Sequence, residues 1–272
     1  MAHRLKLVSF DICPYVERSR IVLLEKGLPH EVELIELAHK PAWFLEVSPM
    51  GRVPVLLLDD RPVFESMIIN ELLEELYPEP ALFPKDPIAR AEARGWIVFA
   101  NDVVMPGGGA GMLAVAGGAT GDALAKPLAA VRDGLAKLEE ELGRGRGPFF
   151  LGKDFSLVDA SYAPFFRRWR LVEGWGVPEA RLLGSFPAVS AWAGAMLSRP
   201  SVVKAEPEEL GAKSRRFFAE RRRRREREED SGPRRAQCAP AGAAPGSFLF
   251  TRRRMSGTNT AQTRARFSMM LT

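Results

Sequence analysis

Cys13 stands where an apolar segment ends and a helical pattern begins. Pro14 suits the first position of that helix, because an N–H at this position would have no helical partner. Unpaired backbone N–H groups and the positive end of the helix dipole stabilise a thiolate there, and the charges of Arg18 and Arg20 would add to this effect. We therefore expect a lowered thiol pKa and a nucleophilic Cys13. The alternative is a small cysteine buried at the end of a strand.

The elements that would position this cysteine are a strand before it and a helix after it. Leu5 and Leu7 indicate a short buried strand, and apolar residues at helical spacing indicate a helix that ends at Gly27. Polar and apolar residues alternate over 31–37, as in a half-buried strand. These elements predict a βαβ unit with two parallel strands.

A second pair of strands and a helix follow. A strand is predicted over 52–58, where Pro54 marks an edge or a strand start and suggests a cis peptide bond. A tight turn at 59–62 then leads into a short strand. Glu65 and Ser66 precede an amphipathic helix over 67–76, and Ser66 is its expected cap.

The rest of the chain to residue 205 has helical patterns. We expect helices over 89–104, 124–142 and 186–197, another that begins at a Ser156–Asp159 capping box, and a flexible Gly/Ala-rich segment over 107–121. The predicted organisation is an α/β domain over 1–80, a proline-rich linker over 81–87, an all-helical domain over 88–205 and a disordered basic tail over 206–272.

Charge and cysteine content bound the function. The tail holds 16 of the 39 basic and 8 of the 34 acidic residues, so residues 1–205 are mildly acidic despite the net charge of +5. We interpret the tail as solvated, with weak nucleic-acid binding as the alternative. Two cysteines are too few for a disulfide framework, which favours a reducing, cytoplasmic location. We expect neither a secretory signal nor a membrane span.

Three features in order resemble the glutathione transferases, whose first domain is thioredoxin-like and whose second is a helical bundle. They are a thiol after the first strand, the Val-Pro step at 53–54 and the Glu-Ser pair at 65–66. The Cys-Pro-Tyr-Val sequence at 13–16 resembles the motif of the cysteine-type omega class and of its lambda and dehydroascorbate-reductase relatives. The Lys-Pro-Ala-Trp-Phe sequence at 40–44 is also similar to the omega class.

This resemblance implies glutathione as co-substrate. The glutathione backbone would pair with Val53, which a cis Pro54 would turn outward, and its γ-glutamyl carboxylate would lie at the helix start at Ser66. Glu65 would face the α-amino group and Lys40 the glycyl carboxylate. Taken singly, each feature has an ordinary structural explanation as a helix cap, an edge-strand proline or a solvated lysine.

A cysteine at the family's active position can form a mixed disulfide with glutathione, which implies thiol transfer and dehydroascorbate reduction. Val16 occupies the place of a second, resolving thiol, which disfavours a dithiol reductase. A pocket for a disulfide or electrophilic co-substrate would be lined by Tyr15, Phe165, Phe166 and Trp169, although aromatic residues at the helical spacing of the last three more often build core. The resemblance implies a homodimer. The alternative is a transferase-like protein that binds or regulates without catalysis.

The three histidines, His3, His30 and His39, have no metal-ligand spacing, and we expect no metal.

Overall fold

The N-terminal part of the chain, residues 5–76, forms a four-stranded mixed sheet with helices on both faces and is called the first half, or sheet half, below. The computed structural model describes residues 3–145 and 147–230. The strands are β1 (Leu5–Ser9), β2 (Glu31–Leu34), β3 (Val55–Leu58) and β4 (Arg61–Phe64), in the spatial order β2-β1-β3-β4. Strand β2 is parallel to β1, whereas β3 is antiparallel to β1 and to β4. The predicted βαβ unit and the thioredoxin-like arrangement are confirmed.

Three helices flank this sheet: α1 (Pro14–Glu25), α2 (Ala42–Val47) and α3 (Ser66–Leu76). Leu7 of β1 is fully buried in the large core that includes α1 and α3, whereas its neighbour Val8 packs with Phe44 of α2 on the opposite face. Successive side chains of a strand point to opposite faces, so a central strand that is covered on both sides is apolar throughout.

The part of the chain from residue 87 to 230, called the second half or helical half below, is helical in the described residues. Its α- and π-helical elements are α4 (Pro87–Phe99), a π-helical turn (Ala100–Val104), α5 (Met105–Ala116), α6 (Asp122–Leu142), α7 (Leu157–Glu173), α8 (Pro187–Leu197), α9 (Pro200–Lys204) and α10 (Leu210–Asp230). Helix α7 lies at the centre, with Phe166 and Trp169 fully buried, and it contacts α1 of the first half. The predicted all-helical second half is therefore confirmed, while the exact domain boundaries stay predictions.

The Gly/Ala-rich segment 107–121 is mostly helix α5, so the prediction of a flexible region was wrong. Its glycines let α5 approach α7 closely. A Cβ atom at Gly108 would lie 2.5 Å from Cε2 of Phe165, and one at Gly111 would lie 3.0 Å from Cη2 of Trp169. The close contact with large aromatic side chains therefore explains these glycines despite their poor helix propensity.

Helix α10 corrects the prediction of a disordered tail for residues 210–230. Its Lys213 side chain forms a 2.6 Å ion pair with Asp11, and its Phe217 ring lies 6.1 Å from the ring of Phe10. The density of charge in the sequence concealed the few apolar residues that attach the helix to the first half. Residues 231–272, with Cys238, lie outside the described residues.

The helical segment Pro87–Ala116 meets a length and composition test for a membrane span, with a hydropathy of 1.3 over its most apolar window. Core helices of soluble proteins pass the same test, so the result is weak evidence. Here α5 contacts α6 and α7, and residues such as Ala100, Val104 and Met112 are buried against them.

The predicted capping box at the start of α7 is confirmed and joins three segments. The Asp159 carboxylate accepts hydrogen bonds from the Ser156 N–H at 2.8 Å, from the Phe150 N–H at 2.9 Å and from Nε1 of Trp192 at 2.6 Å. Asp159 is fully buried, and burial raises the pKa of its carboxyl group. The box thus stabilises the helix that carries the centre of the core.

Replacing the capping serine tests this role. We expect Ser156→Ala to lower the free energy of unfolding by about 1 to 2 kcal/mol, because it removes a helix cap and a buried partner of Asp159. Urea denaturation followed by circular dichroism measures the change. Ser198→Ala, which removes an exposed hydroxyl, is the control and should change stability by less than about 0.5 kcal/mol. Equal effects of the two substitutions would contradict the assignment.

Candidate functional site

Cys13 is the N-terminal cap residue of α1, as the sequence predicted. Its backbone is extended, with φ −72° and ψ 120°, and its N–H donates to the Phe10 carbonyl at 3.0 Å. The backbone N–H groups of Tyr15 and Val16, at the start of the helix, act to lower the thiol pKa and so favour its ionised form. The side chain is only partly accessible to solvent.

The thiol pKa does not follow the sequence prediction. Burial raises the pKa of Cys13, because a thiolate loses hydration in this position. The N–H groups at the helix start and the charges of Arg168 and Arg18 act in the opposite direction without overcoming burial. Arg20, which we expected to contribute, is not among the groups that shift this pKa.

A buried ion network holds the Cys13 segment against α7. The Glu17 carboxylate lies 2.8 Å from Nε of Arg167 and 2.6 Å from Nη1 of Arg168, and its side chain is 1% exposed. Arg168 also donates to the carbonyl of Ile12, directly before the cysteine, at 3.0 Å. The network therefore places a cation near the thiol and fixes the backbone that carries it.

A second buried arginine supports Tyr15. The guanidinium of Arg18 lies 5.1 Å from the centre of the Tyr15 ring, donates to the Ser161 carbonyl at 2.7 Å and contacts the side-chain oxygen of Asn101. Burial lowers the pKa of Arg18 to about 10, so the group stays protonated at neutral pH. This contact joins α1 to α7 and to the π-helical turn beside Tyr15.

A polar pocket of about 450 Å³ lies on one side of Tyr15. The first half of the chain supplies most of its walls, and the π-helical turn supplies the rest. It is lined by Tyr15, Ser48, Met50, Arg52, Val53, Pro54, Phe64, Glu65, Ser66, Asn101 and Asp102. Four of the residues predicted to bind glutathione are thus brought together here: Val53, Pro54, Glu65 and Ser66. The peptide bond between Val53 and Pro54 is cis, as expected.

The start of α3 differs from the prediction in one respect. Glu65, rather than Ser66, is the cap residue, and its φ of +69° is unusual for a residue with a side chain. This conformation turns the chain from β4 into the helix within one residue. Ser66 is consequently the first residue of α3, where its backbone N–H has no helical partner and its side chain borders the polar pocket.

The sequence interpretation missed four polar residues of this pocket and named one that does not line it. Ser48, Arg52, Asn101 and Asp102 line the polar pocket. The adjacent Asn and Asp within an otherwise apolar helical segment were the signal for the latter two. Lys40 is exposed and absent from the lining, although its Nζ lies beside Gly51, next to Arg52.

An apolar pocket of about 450 Å³ lies on the other side of Tyr15 and reaches Cys13. Helices α5, α7 and α10 enclose it together with the segment before α1. It is lined by Phe10, Ile12, Cys13, Pro14, Tyr15, Leu37, Met105, Gly109, Ala110, Met112, Leu113, Phe165, Arg168, Ser214, Phe217, Phe218 and Arg221. Of the three predicted α7 aromatic residues only Phe165 lines the pocket. Phe166 and Trp169 are fully buried core residues outside the pocket lining, so their assignment to the pocket was wrong.

Each of the three histidines contacts a different residue. His3 contacts Asp59, His30 the carbonyl of Leu28, and His39 the side chain of Glu36. Among residues 3–145 and 147–230, no group of three or more histidine, cysteine or carboxylate side chains is arranged to hold a metal ion.

Two family models match the chain, and together they span most of both halves. "Glutathione S-transferase, N-terminal domain" matches residues 7–81, and "Glutathione S-transferase, C-terminal domain" matches residues 122–195. Among curated relatives, glutathione S-transferase DHAR2 of Arabidopsis thaliana is 35% identical over 193 residues, which cover 70% of this chain and 81% of the relative. Glutathione S-transferase omega-1 of Sus scrofa is 31% identical over 211 residues, covering 76% and 83%.

Solved structures give the same result. Glutathione transferase Omega 3C from Trametes versicolor superposes with a TM-score of 0.66 at 32% identity, covering 75% of this chain and 90% of the other. A rice enzyme, OsGSTU1, described in complex with glutathione, superposes with a TM-score of 0.70 at 28% identity, covering 82% and 98%.

Removing the cation beside the thiol tests the electrostatics of this site. We expect Arg168→Gln to raise the pKa of Cys13 further, because a charge that favours the thiolate is lost. The rate of alkylation by iodoacetamide, measured against pH, should reach its midpoint at higher pH. Arg20→Gln removes a charge from the same helix and should leave the midpoint unchanged. An unchanged midpoint in Arg168→Gln would contradict the proposed influence of this arginine.

Proposed function

The chain belongs to the glutathione S-transferase family, and on that premise we propose that it is a glutathione-dependent thiol transferase and dehydroascorbate reductase with Cys13 as nucleophile. The relatives named DHAR and omega support a glutathione-dependent transferase or reductase. The observation that carries the finer proposal is the position of the Cys13 thiol at the start of α1, beside Tyr15, which lines the polar and the apolar pocket alike.

The polar pocket is the proposed glutathione site. The backbone of Val53 would pair with the glutathione backbone, and the first turn of α3 at Ser66 would receive the γ-glutamyl carboxylate. Glu65 would face the α-amino group. These three residues border one pocket, which supports the assignment. We keep Lys40 as the proposed partner of the glycyl carboxylate, with Arg52 as a second cation on that side.

The proposed reaction is disulfide exchange through one thiol. The Cys13 thiolate attacks the glutathionyl sulfur of a mixed disulfide, the original S–S bond breaks, and the substrate leaves as a thiolate with the electron pair. A second glutathione thiolate then attacks the glutathionyl sulfur on Cys13, releasing oxidised glutathione and restoring the Cys13 thiolate. Val16, at the position of a second thiol, leaves this intermolecular step as the route of release.

In the reduction of dehydroascorbate, glutathione is again the electron donor. Two glutathione molecules supply two electrons and two protons, and they leave as one oxidised glutathione. Because burial raises the pKa of the Cys13 thiol, its thiolate fraction grows as pH rises through that pKa. The exchange rate should therefore increase with pH on the alkaline side of neutrality.

A second candidate is a transferase-like protein that binds glutathione or a partner without catalysis. The position of the thiol at the helix start, with a formed pocket on each side of Tyr15, disfavours this candidate. Retention on immobilised glutathione without turnover of any disulfide would favour this candidate. A homodimer and a cytoplasmic location are further proposals, to be tested by light scattering and by cell fractionation.

Replacement of the nucleophile tests the proposed function. We expect Cys13→Ser to lower the reduction of hydroxyethyl disulfide by glutathione by at least about 100-fold, because no mixed disulfide can form. Mass spectrometry after treatment with oxidised glutathione should show one added glutathione on wild type and none at this position in the variant. Cys238→Ser removes the chain's other cysteine and should retain both activity and adduct. Full activity of Cys13→Ser would reject the mechanism.

The proposed glutathione site has its own test. We expect Ser66→Ala to raise the KM for glutathione by about 10-fold, because a hydrogen bond to a charged carboxylate is lost. Steady-state kinetics at a saturating disulfide concentration measure this effect. Ser198→Ala lies outside the polar pocket and should have the KM of wild type. The binding mode is wrong if Ser66→Ala also keeps the wild-type KM.

A further inference from the structure

The apolar pocket carries charge of one sign. Its lining contains two charged side chains, Arg168 and Arg221, and no carboxylate. The other lining residues are aromatic, aliphatic, small or weakly polar. A cleft with low-dielectric walls and charges of one sign concentrates ions of the opposite sign, so this pocket favours an anionic group on an apolar body.

The two arginines differ in how far their charge is already neutralised. Arg168 is buried and bonded to the Glu17 carboxylate at 2.6 Å and to the carbonyls of Ile12 and Pro164. Arg221 is exposed, and among the described residues it forms no ion pair. Its guanidinium lies 5.8 Å from the ring centre of Phe217. Arg221 is therefore the cation of this pocket that is available to a ligand.

Helix α10 fixes where that cation lies. The four residues of α10 that line the pocket are Ser214, Phe217, Phe218 and Arg221, with the i, i+3, i+4, i+7 spacing of one helix face. The Lys213–Asp11 ion pair at 2.6 Å and the contact between Phe217 and Phe10 attach this face to the segment that carries Cys13. The helix thus presents two aromatic rings and then, one turn later, a guanidinium.

We propose that the apolar pocket selects co-substrates with an aromatic body and a carboxylate, and that Arg221 is the specificity-determining residue. This inference rests on the proposed function. In the reaction, Cys13 attacks the glutathionyl sulfur of a glutathione–arylthiol disulfide, and the carboxylated aryl thiolate leaves with the electron pair of the broken S–S bond. A second glutathione thiolate then releases oxidised glutathione and regenerates the Cys13 thiolate. A guanidinium binds a carboxylate with two parallel hydrogen bonds, which makes arginine suited to this selection.

Binding of two matched thioethers tests the selection without any turnover. The ligands are S-(4-carboxybenzyl)glutathione and S-(4-carbamoylbenzyl)glutathione, which differ in charge and hardly in shape. Isothermal titration of the full chain at low salt should show about 3- to 10-fold tighter binding of the carboxylate, a moderate factor because Arg221 is exposed to solvent. Arg221→Gln should bind the two ligands equally, and Arg221→Lys should retain part of the preference.

The matched control is Arg223→Gln, which removes an exposed arginine of the same basic run that does not line the pocket. This variant should keep the preference of wild type. Equal binding of the two thioethers by wild type, binding of neither, or an equal loss in Arg221→Gln and Arg223→Gln would overturn the proposal.

Turnover separates this proposal from the function on which it rests. The mixed disulfides of glutathione with 4-mercaptobenzoate and with 4-mercaptobenzamide should both be reduced by wild type. The ratio of their kcat/KM values should fall about 3- to 10-fold in Arg221→Gln, a comparison between proteins in which the intrinsic reactivity of the disulfides cancels. An unchanged ratio would overturn the selection by Arg221. Absence of all turnover with the thioether preference intact would reject thiol transfer but leave the anion selectivity of the pocket standing.

Discussion

A single buried carboxylate, that of Glu17, is the constraint on which the site depends. It comes from α1, one turn after Cys13, and it binds Arg167 and Arg168 of α7. Removing either partner from such a network would leave an uncompensated buried charge, which proteins tolerate poorly. Because Arg168 also donates to the Ile12 carbonyl, the network fixes the backbone next to Cys13 where the sheet half contacts the helical half.

One member of this network, Arg168, also acts on the pKa of the thiol. Burial of Cys13 raises its pKa, whereas the helix start and the nearby Arg168 and Arg18 favour its thiolate. Arg168, more than 150 positions away in the chain, is thus one of the groups that favour the thiolate, and the helical half contributes to the electrostatics of this candidate site.

Local patterns predicted much of the fold and part of the site. The βαβ unit, the cis bond before Pro54 and the Ser156–Asp159 capping box depend on short sequence signals, and each is confirmed. The sequence also predicted that Val53, Glu65 and Ser66 belong to one site, because all three lie at the ends of adjacent elements and their order matches a known pattern.

What the sequence could not predict depends on contacts between distant segments. Glycines in α5 indicate flexibility until the rings of α7 that pack against them are known. The polarity of α10 conceals the face that closes the apolar pocket. Helical spacing could not decide which aromatic residues of α7 face a pocket. In the structure Phe165 lines the apolar pocket, whereas Phe166 and Trp169 do not. Desolvation of Cys13 has the same origin, since residues of both halves enclose it.

The most direct test of the central claim is a crystal structure of the full chain after treatment with oxidised glutathione. The account predicts a disulfide between Sγ of Cys13 and the glutathione sulfur, with the tripeptide in the polar pocket and its γ-glutamyl carboxylate at the first turn of α3. Glutathione bound elsewhere, or bound in the polar pocket beside an unmodified Cys13, would contradict it.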